Sequence, residues 1–292
     1  MQKGDIEMEY RTLANGVKMP MLGYGVFQVR DHEQCRQVVK DAISVGYRLI
    51  DTAQSYMNQK AVGEAIRESG VAREEIFLTT KIWMQDNSYE KCRKAVDLAL
   101  SELDTDYIDL LLLHQPMGDY YGAWRALEEA YEAGKVRAIG MANCYPQIIA
   151  DMCETVRIRP MVNQVEMHPF FQQQLNVDTM DSYGVVPEAW GPFNEGKRNF
   201  FTDPILTEIG AKYGKSAAQV ALRWNIQRGV VVIPKSVHKD RMEQNFDVFD
   251  FELSAEDMEK IKTMDISHSE IIDHTDPALI KSLHAYKVHE EF

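Results

Sequence analysis

Eight times along this chain a short apolar run is followed by a stretch of helical periodicity, and that alternation limits the fold more than any other feature. The runs are 21–27 (MLGYGVF), 47–53 (YRLIDTA), 76–82 (IFLTTKI), 107–114 (YIDLLLLH), 136–142 (VRAIGMA), 161–167 (MVNQVEM), 185–190 (VVPEAW) and 230–236 (VVVIPKS). Several are almost unbroken in apolar character, as parallel strands buried on both faces require. Between them, Cys35, Val38, Val39, Ala42 and Ile43 share one helical face, and Cys92, Ala95, Val96, Ala99, Leu100 and Leu103 share another. Eight strand–helix units in 292 residues predict an α/β fold of the (β/α)8 TIM-barrel type.

Other segments lie outside the repeating unit. In 10–20 (YRTLANGVKMP), Asn15-Gly16 between two extended runs predicts an N-terminal β-hairpin with a type I′ turn. An extra helix is expected over 203–213, ahead of the seventh barrel helix at 216–228. The last barrel helix begins at Ser254 as N-cap, with an acidic first turn through Asp257, and continues through Met258, Ile261 and Met264. A C-terminal tail, 265–292, follows and is expected over the barrel mouth. No Pro/Ser/Gly-rich linker interrupts the chain, so 1–292 reads as one domain.

Charge narrows the function. The formal net charge is −13, spread along the chain with no basic stripe, which disfavours nucleic acid and anionic membrane as partners. No apolar stretch reaches the roughly 20 residues of a membrane helix, and the N-terminal MQKGDIEMEY lacks a secretory leader's apolar core. Cys35, Cys92, Cys144 and Cys153 form no C-x-x-C pair and read as reduced packing thiols of a cytoplasmic protein.

In such a barrel, chemistry belongs to the C-terminal ends of the strands. In order, those ends supply Asp51 with Tyr56 in its loop, Lys81 with Trp83 beyond it, His114, Asn143, Gln164, Trp190, and Lys235 with Ser236. Four of them suggest a reaction. A carbonyl that accepts hydride becomes an alkoxide and needs a proton. Tyrosine is a weak acid, with a reference pKa of about 10, but a neighbouring ammonium favours the phenolate. Lys81 is placed to act this way, with Asp51 pairing to it, Tyr56 as the acid and His114 orienting the oxygen. Each is also compatible with a plain role as ion pair, loop aromatic or rim histidine; it is their joint order that carries the argument. Phe27, Trp83 and His114 suggest a pocket with apolar walls and one polar point, suited to aldehydes, ketones, α-dicarbonyls or keto-sugars.

The sequence resembles the aldo-keto reductases. GYRLIDTAQSYMN (46–58), TTKIW (79–83), LLLHQP (111–116), NQVEMHP (163–169) and IPKSVHKDRMEQN (233–245) resemble five motifs of that family, in order and at consistent spacing. The resemblance implies NADPH/NADP+ bound in the barrel mouth, Tyr56 as general acid, Lys81 with Asp51 as the pair that tunes it, and His114 as the orienting group. It further implies that Asn143 and Gln164 hold the nicotinamide carboxamide and that Trp190 stacks on the ring. Lys235, Ser236, His238 and Arg241 would grip the 2′-phosphate, with Gln244 and Asn245 at the adenine. Three positions depart from the family pattern: Ala142 stands where serine is usual, Trp190-Gly191 replace tyrosine-serine, and Gln244 replaces glutamate. The family's common state is a monomer; a weak homo-oligomer is the alternative.

Absences matter too. No G-x-G-x-x-G follows a strand, which argues against a Rossmann domain. The histidines form no H-x-H or H-E-x-x-H, so no metal is expected. Two rival readings are a catalytically weak nucleotide-binding regulator on the same barrel, and a metal-dependent barrel hydrolase.

Overall fold

A computed structural model describes residues 8–290. Residues 1–7, part of the N-terminal stretch read above as lacking a leader's core, lie outside the described residues, as do 291 and 292. The chain opens with an antiparallel hairpin of β1 (Tyr10–Thr12) and β2 (Lys18–Pro20), in which Thr12 pairs with Lys18. The turn is not type I′. That turn needs positive φ at both central residues, and here only Gly16 has it, at 87°. Leu13 N–H donates to Val17 O and Gly16 N–H to Leu13 O, a three-residue loop with a left-handed glycine. Asn15 is held by its side chain instead: Nδ2 donates to Arg137 O at 2.8 Å.

Eight parallel strands follow: β3 (Gly23–Gly25), β4 (Leu49–Asp51), β5 (Phe77–Ile82), β6 (Leu110–Leu113), β7 (Ile139–Ala142), β8 (Val162–Glu166), β9 (Val186–Trp190) and β10 (Val231–Val232). Each lies beside its predecessor in the sheet, and each falls inside one of the eight apolar runs. The barrel closes through a parallel bridge between Leu22 and Val232, with Val232 N–H donating to Met21 O at 3.0 Å and Gly25 N–H to Pro234 O at 3.2 Å.

Helices α1 (His32–Val45), α2 (Gln59–Glu68), α3 (Tyr89–Leu103), α4 (Tyr120–Glu132), α5 (Pro146–Thr155) and α6 (Gln174–Tyr183) fill the connections from β3 to β9. The apolar faces read from sequence point inward. Cys35, Val38, Val39, Ala42 and Ile43 are all buried, as is the α3 face except for half-buried Leu100. After β9 come α7 (Pro204–Tyr213), the extra helix, and α8 (Ala217–Gln227), started by a reciprocal Ser216–Gln219 capping box. One helix was not foreseen: α9 (Lys239–Phe246) follows β10 and is the eighth barrel helix. The helix at 254–264 is therefore an appendage, α10 (Ala255–Lys262), its Ser254 Oγ accepting from Asp257 N–H at 3.2 Å. All four cysteines are buried and unpaired, and burial pushes the Cys35 thiol up to about 12. No helix among the described residues is long and apolar enough to cross a membrane.

The tail runs over the C-terminal ends of the strands. Ile266 N–H donates to Phe170 O at 2.9 Å, Ser269 Oγ to Glu166 at 2.5 Å, and Asn194 Nδ2 to Glu270 at 3.1 Å. Helix α11 (Pro277–Ala285) buries no residue fully; its Leu279, Ile280 and Leu283 are half-covered. The residues after it make the attachment. Trp83 Nε1 donates to Tyr286 O at 3.0 Å, Tyr286 hydroxyl to Ser55 O at 3.1 Å, and His289 Nε2 lies 2.8 Å from Asp86 Oδ2.

Candidate active site

The site begins with a lysine that has no exposed surface. Lys81 projects from β5 into the barrel, where its Nζ donates to Asp51 Oδ1 at 2.6 Å, Thr52 O at 3.0 Å and Tyr56 Oη at 3.3 Å. Asp51 is the last residue of β4, so strand and loop deliver carboxylate and phenol to the same ammonium. A single 3-10 turn, Gln54–Tyr56, ends in left-handed Met57 (φ 58°) and aims the tyrosine inward. That loop is pinned at three places. Asn58 Nδ2 donates to Val26 O and Val29 O, Gln54 Oε1 accepts from Trp83 N–H, and Gln54 Nε2 donates to Asp86.

His114 follows β6 and completes the cluster. Its ring stands edge-on to Tyr56 at 5.7 Å and to Trp83 at 5.2 Å, and its Nδ1 lies 3.2 Å from Ser55 Oγ. Phe27 packs on Tyr56 at 5.1 Å with half its surface exposed, forming the outer wall. The structure thus brings Asp51, Tyr56, Lys81, His114, Phe27 and Trp83 into one cluster.

Electrostatics follow from burial. The Tyr56 phenol is pushed above its ordinary value by burial, which exceeds the opposing pull of Lys81. Lys81 pulls the phenol toward ionisation, as expected of a neighbouring ammonium, and limits the rise without reversing it. Burial pulls Lys81 down, but the charges of Asp51 and Tyr56 outweigh it and the net shift is upward. The His114 imidazole is held well below its usual range by burial and by Lys81, so it is neutral at physiological pH.

A second group surrounds the mouth. Asn143, left-handed at φ 61°, donates from Nδ2 to His114 O at 2.9 Å and accepts from Trp190 Nε1 at 2.9 Å. Gln164 Nε2 donates to Asp51 Oδ2 at 2.9 Å and to Glu188 Oε2 at 3.0 Å. Beyond β10, Lys235, His238, Arg241 and Gln244 are exposed, whereas Ser236 and Asn245 are buried. Ser236 Oγ accepts from His238 N–H at 3.1 Å. Helix α9 starts at His238 with no side-chain cap. Neither Lys235 nor Arg241 has an ion-pair partner among the described residues.

Sequence reasoning missed several residues here. Ser55 and Gln54 sit inside a motif already singled out. Glu188 had a signal, an acid in the middle of an apolar strand and on the same face as Trp190 two residues later. Glu166 and His168, a buried pair at 2.9 Å, and His274, whose ring meets Tyr145 at 6.1 Å, also face this end. A separate groove of about 730 Å3 lies between α2 and α3, but Arg73 on its wall is tied to Asp109 at 2.8 Å and no chemistry-bearing cluster faces it.

The profile of the Aldo/keto reductase family matches residues 21–266. The chain belongs to this family. Glyoxal reductase of Bacillus subtilis (strain 168) is 47% identical over 253 residues, covering 86% of this chain and 91% of that protein. The 9,11-endoperoxide prostaglandin H2 reductase of Trypanosoma cruzi (strain CL Brener) is 45% identical over 252 residues, covering 86% and 89%. Among solved structures, an aldo-keto reductase of Bombyx mori in complex with NADP superposes with a TM-score of 0.87 at 34% identity, covering 92% of this chain and 96% of that one. The barrel with its N-terminal hairpin is the fold of this aldo/keto reductase.

Proposed function

We propose that this protein reduces small aldehydes and ketones to alcohols, α-dicarbonyls foremost, with NADPH as reductant and Tyr56 as proton donor. The observation that carries the reading is the unbroken contact from Asp51 through Lys81 to Tyr56 at the barrel mouth. When bound, NADPH supplies the hydride. The remaining work falls to this chain. Tyr56 keeps its proton near neutrality and holds it for the developing alkoxide oxygen. Lys81 stays cationic beside it and stabilises the phenolate left after transfer. Neutral His114, its Nδ1 side 3.2 Å from the Ser55 hydroxyl, would donate to the same oxygen from Nε2 in the tautomer that accepts from Ser55. Positioned acid catalysis of this kind contributes roughly 10²–10⁴-fold.

The residues present fit a phosphorylated dinucleotide. Trp190 offers an aromatic face, and Asn143 and Gln164 offer amides beside it. Lys235 and Arg241 are uncommitted cations next to the uncapped start of α9, a place suited to a phosphate dianion together with Ser236 and His238. Gln244 and Asn245, one helical turn on, would meet the adenine. Substrate range is read from the pocket, because the two relatives above carry different substrate names at nearly equal identity. Phe27, Trp83 and Tyr286 supply apolar surface around Tyr56 and His114. The reading includes a monomer acting in the cytoplasm, where four buried, unpaired thiols stay reduced.

The test is NADPH consumption by the purified chain against a panel of glyoxal, methylglyoxal, simple aldehydes, ketones and keto-sugars. Turnover is expected, fastest with the dicarbonyls. Tyr56→Phe is expected to lower it by at least about 10²-fold while NADPH still binds. No oxidation with any carbonyl would remove the reading, and an active Tyr56→Phe would remove the assigned acid.

A further inference from the structure

We propose that Glu188 is a positioning residue of this site, acting through Gln164: with Asp51 it takes both amide hydrogens of that side chain and so fixes which end of the amide is left for a ligand. The inference rests on the reductase reading above. Glu188 lies in the middle of β9, fully buried, directly across from Gln164 in the β8–β9 register. Gln164 Nε2 donates to Asp51 Oδ2 at 2.9 Å and to Glu188 Oε2 at 3.0 Å. An amide nitrogen has two hydrogens, and both are now used. What remains on Gln164 is Oε1, which can only accept. A ligand group meeting it must donate, as the amide nitrogen of a carboxamide does. Without Glu188, one amide hydrogen is released and the side chain is free to turn over.

Glu188 Oε2 accepts from Gln164 in either protonation state, but burial and Asp51 favour the neutral carboxyl. Asp51 from β4 pairs with one buried cation, Lys81 from β5, at 2.6 Å, and Glu188 from β9 lies close enough to feel both charges. The other polar groups around them are the Tyr56 phenol and the neutral Gln164 amide, while the neighbouring β10 brings only Val231 and Val232. Ionising both acids would leave an uncompensated negative charge out of water. Glu188 Oε1 has no hydrogen-bond partner among the described residues and is itself buried, which a neutral carboxyl tolerates better than a carboxylate. Burial, and then Asp51, push the Glu188 carboxyl up to about 8, against the pull of Gln164 and Lys81. When Glu188 does ionise, its charge repels Asp51 and raises Tyr56 further, making the phenol a poorer acid. Reduction therefore falls as pH rises through about 8.

Two variants test this. Glu188→Gln keeps the accepting oxygen and the shape but cannot ionise; Glu188→Leu removes the acceptor. Glu188→Leu is expected to raise KM for NADPH by about tenfold, the effect of one lost hydrogen bond, and Glu188→Gln to restore most of it. In Glu188→Gln the alkaline fall of kcat/KM is expected to move up by a pH unit or more. In the ligand-free protein, infrared spectra should contain a protonated-carboxyl band that disappears as pH rises through about 8 and that Glu188→Gln lacks. An unchanged alkaline limb in Glu188→Gln, or a carboxyl band that persists in it, overturns the proposal. The infrared measurement needs no substrate, so it decides the state of Glu188 even for a chain that reduces nothing.

Discussion

A lysine with no exposed surface persists in a barrel interior only where its charge is answered, and Lys81 is answered by a carboxylate at 2.6 Å, a carbonyl at 3.0 Å and a phenol at 3.3 Å. Arg241 is the opposite case, an exposed cation without an ion-pair partner among the described residues. Its proposed counter-charge is the 2′-phosphate of NADPH. A hydrogen bond to a charged group is worth roughly 1.5–3 kcal/mol, so Arg241→Ala should weaken NADPH by about tenfold or more. NADH, lacking that phosphate, should be held as before; titrating both dinucleotides against intrinsic fluorescence measures the difference. Equal losses would show that Arg241 does not read the phosphate. Most residues of the cluster were legible because a polar side chain at or just past the end of an apolar run stands out, as Asp51, Lys81 and His114 do. What the sequence did not give was the balance of forces on Tyr56. An adjacent ammonium can be inferred from spacing, but the desolvation that outweighs it depends on how completely the barrel closes around the phenol. Glu188 escaped for a related reason, since a strand read as an apolar run hides the one position that faces the site.

Among the elements, strands were easier to read than what connects them. Apolar runs mark all eight, whereas α9 buries only Met242 and Asn245 fully, with half-buried Phe246 against Tyr47, too narrow an apolar face for periodicity to find. The hairpin's position was legible and its turn type was not, because the Asn15 side chain reaches across to Arg137 O, a contact distant in sequence. The tail behaves as two parts. Residues 286–289 hold Trp83, Gln85 and Asp86, while 266–274 lies over the loops after β7, β8 and β9. Ile271 and Ile272 are half-buried there, with Ile271 Cδ1 only 3.3 Å from where a side chain on Gly191 would begin. Replacing both isoleucines with alanine is expected to reorder the preferred carbonyls while leaving NADPH affinity and the thermal midpoint largely as they were. A variant that melts much earlier, with the same ranking of substrates, would make this stretch a structural element only.

At the scale of the whole molecule, the helical layer fits the barrel closely enough that single glycines set its spacing. A Cβ on Gly63 of α2 would stand 2.1 Å from the carbonyl oxygen of Leu103, at the end of α3. Gly63→Ala should therefore force the two helices apart, costing roughly 1–3 kcal/mol as overpacked cores do. The expected readout is a thermal midpoint several degrees lower, with kcat/KM per folded molecule unchanged; an unaltered midpoint would mean that the α2–α3 contact yields freely. The sheet itself is sealed between Leu22, at its beginning, and Val232, in its last strand. During synthesis that seam has no second half. At roughly 5–20 residues per second, the ribosome needs on the order of tens of seconds to make the chain between them. Throughout that interval β3 and whichever strand came last present unpaired edges, the kind that recruit other chains.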